Sequence, residues 1–180
     1  LLGQDLEGQR VLQNKALYGV LGGVTNFMRA FPFVILMIAM SPLTKAIVGT
    51  GIGPIAASLV LAIAGSFYFA RLVEQNLREV PRGIIEATES MGARPFTIIK
   101  VLLNEARSGI VLSVTILCIS LLSFSAAAGM IGGGLGDLAI RYGYYRYQTE
   151  VMVFIVIMLS VMVISIQAFG NWLATRLDKR

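Results

Sequence analysis

Apolar residues along this chain fall in long blocks, and three of the blocks carry no charge at all: Ala46–Ala70, Ser108–Gly136 and Val151–Thr175. Each exceeds the roughly 20 apolar residues that cross the hydrocarbon core of a bilayer. A shorter block, Ala30–Thr44, reaches that length if its helix runs on to Val48 and Lys45 snorkels to the interface. Spans are therefore expected near 30–48, 53–72, 108–128 and 151–174. Gly49-Thr50-Gly51-Ile52-Gly53-Pro54 reads as the turn between the first two, because glycine and proline punctuate helices. Apolar–polar alternation is missing from all four spans, which argues against a transmembrane β-barrel. The fold class expected is all-α: a polytopic transmembrane helical bundle filling residues 1–180 as one domain.

The main polar interruption is the segment 74–106, longer than a simple link between two spans needs. Pro81 is suited to open a helix, since its ring fixes φ and it has no N–H to leave unpaired. Residues 82–91 can continue that helix, although Gly83 weakens its first turn. Gly92 is placed to end it and Pro95 to start another, so the segment reads helix, tight corner, helix. Glu86 and Glu89 stand one turn apart, and Ile84, Ile85, Thr88 and Met91 give the first helix an apolar side. Such a helix suits a groove on another protein. Its two glutamates make it a poor match for an anionic bilayer surface.

Composition agrees with the pattern. The chain has 180 residues, 56% hydrophobic and 14% charged, with mean hydropathy +0.77. Soluble domains are roughly a quarter charged. With four spans, both ends share a side with segment 74–106. That side holds Arg10, Lys15, Arg29, Arg71, Arg78, Arg82, Arg94, Lys100, Arg107, Arg176, Lys179 and Arg180, against Lys45, Arg141 and Arg146 on the other. The excess predicts a cytoplasmic location for the termini and the middle segment. It also accounts for the net charge of +5 without nucleic acid. Residues 11–28 are expected to form a lead-in helix on the same side. With Leu1 first and no signal peptide, the chain is expected to begin inside a longer protein. Between the last two spans, Gly129–Glu150 faces outward, and Tyr142, Tyr144, Tyr145 and Tyr147 suit a membrane–water interface.

Several chemistries are excluded or disfavoured. There is no His, so imidazole metal sites and Ser-His or Cys-His catalysis are out, and Cys118 has no partner for an internal disulfide. No G-x-x-x-x-G-K-[ST] loop is present to hold ATP. The three longest spans have no interior Asp, Glu or His, which argues against an ion-coupled secondary transporter. A structural or sensory membrane subunit would explain the spans but not the helix–corner–helix segment. Ser58, Ala62, Ser66 and Ala70 recur every fourth residue, and Ser113, Ser120, Ser123 and Ala127 share roughly one face. Such stripes serve close helix contact, or border a passage. The methionines, including Met37, Met40, Met152, Met158 and Met162, read as apolar filler.

Glu86-Ala87-Thr88, with Gly92 six residues after Glu86, resembles the signature of permease subunits of binding-protein-dependent ABC importers: Glu-Ala-Ala, three residues, Gly. Further segments resemble the methionine importer type: Arg29–Leu36, Ile47–Thr50, Ile84–Ala87, Met91–Ala93, Gly134–Gly136, and Tyr142-Gly143-Tyr144 with Tyr147. The resemblance runs in order along nearly the whole chain. It departs in three places: Thr88 replaces the second Ala, Asn104 stands where the family closes its motif with Pro, and the run up to that position is one residue shorter. One residue turns a helix by about 100°. The family has five spans, so one is expected to be missing before residue 1.

The resemblance implies a non-enzymatic permease in the bacterial inner membrane, most specifically for methionine, with a permease for another small solute as the alternative. It implies a homodimer, two cytoplasmic ABC ATPase subunits that use ATP and Mg, an external substrate-binding protein and surrounding lipid. No cofactor or metal is implied on this chain. Coupling to the ATPase would fall to Ile85, Glu86, Ala87, Glu89, Met91, Gly92 and Ala93. The passage, too wide for a single small bundle to hold, would lie between two copies, with Ser58, Ala62, Ser66, Ser113, Ser120 and Ser123 as candidate lining.

Overall fold

A computed structural model describes residues 22–23, 32–129, 132 and 135–178. The lead-in helix expected over 11–28 lies outside the described residues, apart from Gly22 and Gly23. In chain order the helices are α1 (Phe33–Ala39), α2 (Ser41–Val48), α3 (Pro54–Arg78), α4 (Arg82–Ser90), α5 (Pro95–Glu105), α6 (Arg107–Ala128), α7 (Leu135–Leu138) and α8 (Thr149–Leu177). A π-helical segment, Ala139–Tyr144, follows α7. No strand is present among the described residues.

Among the described residues three helices are long and apolar enough to cross a membrane: α3, α6 and α8. They coincide with three of the expected spans, each helix running on beyond the expected end or starting before it. The fourth expected span, 30–48, is helical from Phe33 to Val48 with one bend at Met40, which divides it into α1 and α2 of 7 and 8 residues, while Met40 N donates to Leu36 O and Thr44 N to Met40 O across the bend, both at 2.9 Å. Pro42 is the cause. It has no N–H to pair with the carbonyl of Ile38, and its ring crowds that carbonyl. The chain then doubles back, and Ser41 Oγ donates to Gly51 O across the Gly49–Gly53 turn at 3.3 Å.

α6 is the central element, packed against α3 on one side and α8 on the other. At the α6–α8 crossing Gly170 lies so close to Thr115 that a Cβ there would sit 2.5 Å from Thr115 Cγ2. Toward one end of the bundle Leu36 and Met37 of α1, Ala57 and Val60 of α3 and Ala128 of α6 form a buried apolar cluster. Phe33 stacks on Phe124 beside it, with ring centroids 4.6 Å apart. Most other apolar side chains point outward. Only 6% of the apolar stretch of α8 is buried, leaving Phe154, Ile157, Val161, Ile164 and Phe169 exposed. A bilayer or a second protein surface is the solvent such a face requires.

Between α6 and α8 the described residues include α7 and the π-helical segment. α7 and the π-helical segment pack on the neighbouring spans, and Arg141 Nε pairs with Asp137 Oδ1 at 2.7 Å. Tyr142, Tyr144, Tyr145 and Tyr147 are all exposed, and the Arg146 guanidinium lies 4.8 Å over the Tyr142 ring.

Candidate functional site

The opposite end of the bundle carries the helix–corner–helix segment. The helix starts one residue later than expected: Pro81, at φ −57° and ψ 131°, is the residue before α4, and its carbonyl accepts from Ile84 N at 3.1 Å. At the other end the corner has a defined hydrogen-bond pattern. Gly92 N donates to Glu89 O at 2.8 Å and Ala93 N to Thr88 O at 3.3 Å. These two bonds are the Schellman pair that satisfies the last carbonyls of a helix, and the pattern needs a left-handed residue at position 92. Gly92 adopts φ +74°. Arg94 is extended, as the residue before a proline must be, and Pro95 occupies the first position of α5.

α4 packs chiefly on α5 and stands away from the spans. Thr88 and Ile98 are the buried positions of the two helices. Thr88 Oγ1 donates back to Ile84 O at 2.6 Å, so its hydroxyl is satisfied within its own helix. The departure from Ala at this position therefore leaves no unpaired polar group.

Of the expected coupling residues, Glu86, Ala87, Glu89, Met91 and Gly92 are exposed, and Ile85 and Ala93 are half-buried. The carboxylates of Glu86 and Glu89 have no partner among the described residues. Met91 is 77% exposed and Phe96, across the corner, 80% exposed. Phe96 was missed by sequence reading. Its signal was an aromatic directly after the proline that opens α5, where the chain has just turned and packing is thin. The segment thus presents two acids and two bare apolar side chains on a short rigid support.

The candidate lining residues separate into two groups. Ser58, Ala62, Ser66 and Ala70 are all exposed along α3, with Ser58 Oγ donating to Ile55 O at 2.8 Å and Ser66 Oγ to Ala62 O at 2.7 Å. On α6, Ser120 is half-buried and Ser123 exposed. Ser113 is buried instead against α3, where Asn76 Nδ2 donates to it. No group of three or more Cys, Asp and Glu side chains converges as a metal site among the described residues.

The roots of the segment are tied to the bundle. Arg107 Nε, at the start of α6, donates to Leu177 O at the end of α8 at 2.9 Å. Glu74, near the end of α3, is gripped by Arg71 and Arg78, each at 2.6 Å. These contacts place the end of α3, the start of α6 and the end of α8 on one side, so Arg71, Arg78, Arg107 and Arg176 gather there.

Comparison with known proteins matches this arrangement. A permease of Vibrio cholerae named as a probable D-methionine transport system permease protein, MetI, is 51% identical over 172 residues, covering 94% of this chain and 76% of the relative. The Bacillus subtilis methionine import system permease protein MetP is 42% identical over 170 residues, covering 93% and 77%. Among solved structures, an inward-facing form of the MetNI methionine ABC transporter (native CY5 crystal form) superposes with TM-score 0.90 at 40% identity, covering 96% of this chain and 80% of that one. The SeMet-soaked crystal form gives TM-score 0.89 at 39% identity, covering 96% and 81%. Residues 7–180 match the family described as binding-protein-dependent transport system inner membrane component, and the chain belongs to that family.

Proposed function

We propose that this chain is the membrane permease of an ATP-driven importer for methionine, acting as a homodimer with two cytoplasmic ATPase subunits and an external binding protein. ATP and Mg are used by the partner, and this chain supplies the passage and the coupling element. The observation that carries the reading is the Gly92 corner, which holds Glu86, Glu89, Met91 and Phe96 clear of the spans on a short helix pair. Ile85, Glu86, Ala87, Glu89, Met91, Gly92 and Ala93 seat on the ATPase, and Phe96 extends the contact. Closure of the ATPase pair around nucleotide draws two such segments together and tilts the attached spans, a rigid-body exchange between inward- and outward-open states.

The lever end faces the cytoplasm on this reading. Arg71, Arg78, Arg82, Arg94, Lys100, Arg107 and Arg176 belong to it, against Lys45, Arg141 and Arg146 at the other end. Segment 74–106 is the coupling loop within a single permease domain. Ser58, Ala62 and Ser66 of α3 and Ser120 and Ser123 of α6 border the passage between copies, while Ser113 serves the contact between α3 and α6. Lipid covers the outer faces of the spans.

The test is reconstitution of the permease with an ATPase subunit in proteoliposomes, with binding protein added outside. ATP-dependent uptake of radiolabelled methionine is expected. Copurification with no ATPase, or uptake independent of ATP, would sink the proposal. Uptake of a different solute in preference to methionine would leave an importer and refute the solute.

A further inference from the structure

The two roots of the lever meet at one polar contact. Asn76 lies on the last turn of α3, just before the segment departs, and Gly109 and Ser113 lie on the first two turns of α6, just after it returns. Asn76 Nδ2 donates to Leu72 O on its own helix at 2.9 Å and to Ser113 Oγ across the contact. Its carboxamide also lies against the Gly109 backbone. A Cβ built on Gly109 would run into Asn76 Oδ1 and come within 2.9 Å of Asn76 Cγ. The fit is therefore steric as well as polar: Asn76 occupies the space that a side chain at 109 would take.

A cleft of about 380 Å³ opens beside the Arg107–Leu177 bond, with Asn76, Asn104, Arg107 and Asp178 on its walls. The Asn76–Ser113 bond is the hydrogen-bonded tie between α3 and α6 at this level, beside the buried Val80 and Ala106. A lever drives a gate only if its roots move together. If α3 and α6 slid past each other, displacement of the tip would be absorbed in distorting the loop. Hydrogen bonds in a low-dielectric helix contact resist that sliding more than the same bonds in water.

We propose that Asn76 is a positioning residue for transport, clamping Gly109 and Ser113 so that α3 and α6 answer the coupling helices as one body. This rests on the coupling function proposed above. The experiment measures ATP hydrolysis and radiolabelled methionine uptake by the permease–ATPase complex in proteoliposomes. Asn76→Ala and Gly109→Ala are each expected to leave the ATPase bound and active while uptake per ATP falls about fivefold, the population shift expected from one buried hydrogen bond. Gly109→Ala added to Asn76→Ala is expected to cause no further fall, because the obstructing carboxamide is gone, so the cycle is strongly non-additive. The exchange Asn76→Ser with Ser113→Asn is expected to restore part of the loss.

Additive losses, unchanged uptake per ATP in both single variants, or joint loss of ATPase binding and uptake would each overturn the clamp. Gly92→Val in parallel separates the two ideas. If it leaves uptake intact, the coupling function itself falls. If it abolishes coupling while the Asn76 and Gly109 variants transport normally, the clamp alone is refuted.

Discussion

Replacing Gly92 tests the corner most directly, because the strain can be separated from any clash. The residue sits at φ +74°, and a Cβ added there meets nothing within 4 Å. Any penalty inside this chain is therefore a backbone penalty. A left-handed conformation costs an ordinary L-residue roughly 1–2 kcal/mol, and a β-branched one more. Asparagine tolerates the region and is the second choice at this position of a Schellman motif. If the chain relaxes out of φ > 0, both bonds of the corner go, Gly92 N to Glu89 O and Ala93 N to Thr88 O. Each such bond has a net value of about 1 kcal/mol. The order of ATPase affinity expected is Gly, then Asn, then Ala, then Val. Val is expected to lose about 2 kcal/mol or more, a factor of roughly 30 in the fraction of correctly bent segments. Pull-down of the ATPase at graded concentrations gives the ranking, and yield from membranes checks that insertion persists. Equal loss for Asn and Val would refute the reasoning, because it would point to a clash with the partner rather than to backbone strain.

Other outcomes follow from the same geometry. Met91→Ala and Phe96→Ala remove exposed side chains, so thermal stability should shift by no more than about 0.5 kcal/mol, while ATPase binding should weaken about tenfold for either if it is an anchor; co-sedimentation beside a melting curve decides it. Gly170→Ala places a Cβ 2.5 Å from Thr115 Cγ2 and should lower stability by about 1–3 kcal/mol. Thr115→Ala in that background should recover only part, because the Thr115 Cβ would still lie 2.7 Å away; melting temperatures in detergent check both. After Cys118 is replaced, cysteines at Ser58, Ser66 and Ser123 should react with a water-soluble maleimide in some part of the transport cycle, and one at Ser113 should not. Inertness of all four in every nucleotide state would count against α3 and α6 as borders of the passage.

What could be read in the chain beforehand depended on how local each signal was. α3, α6 and α8 were legible because uninterrupted apolar length has one stable use in a bilayer. The corner was legible because Gly92 and Pro95 each restrict the backbone at their own position. The bend within 30–48 was present as Pro42, but block hydropathy outweighed a single proline. Its effect also depends on where Ser41 meets Gly51, which is a contact across ten residues. The role of Ser113 was illegible for the same reason. Its partner, Asn76, is 37 residues away on another helix, and no period along α6 marks it. Gly109 and Gly170 carried no visible sign either, because the meaning of each is the side chain pressed against it.

The departure at Asn104 bears on how such a lever would transmit force. A proline there would have removed a backbone donor at the next-to-last residue of α5 and crowded the carbonyl of Lys100. With asparagine, α5 runs unbroken to Glu105, and the bonds from Ala106 N to Leu102 O and from Ile110 N to Ala106 O, both 2.9 Å, carry helical bonding past the single bend at Ala106 into α6. On the other side, α3 ends at Arg78 and α4 starts at Arg82, so Glu79, Val80 and Pro81 form a non-helical link. The segment is thus stiff toward α6 and hinged toward α3. A push at Met91 and Phe96 travels down α5 into the central helix, which grips α8 through Thr115 and Gly170 and α3 through Ser113 and Asn76. In the coupling function proposed for this chain, α6 is then the helix that receives the stroke, and α3 follows through its side-chain contact rather than through the loop.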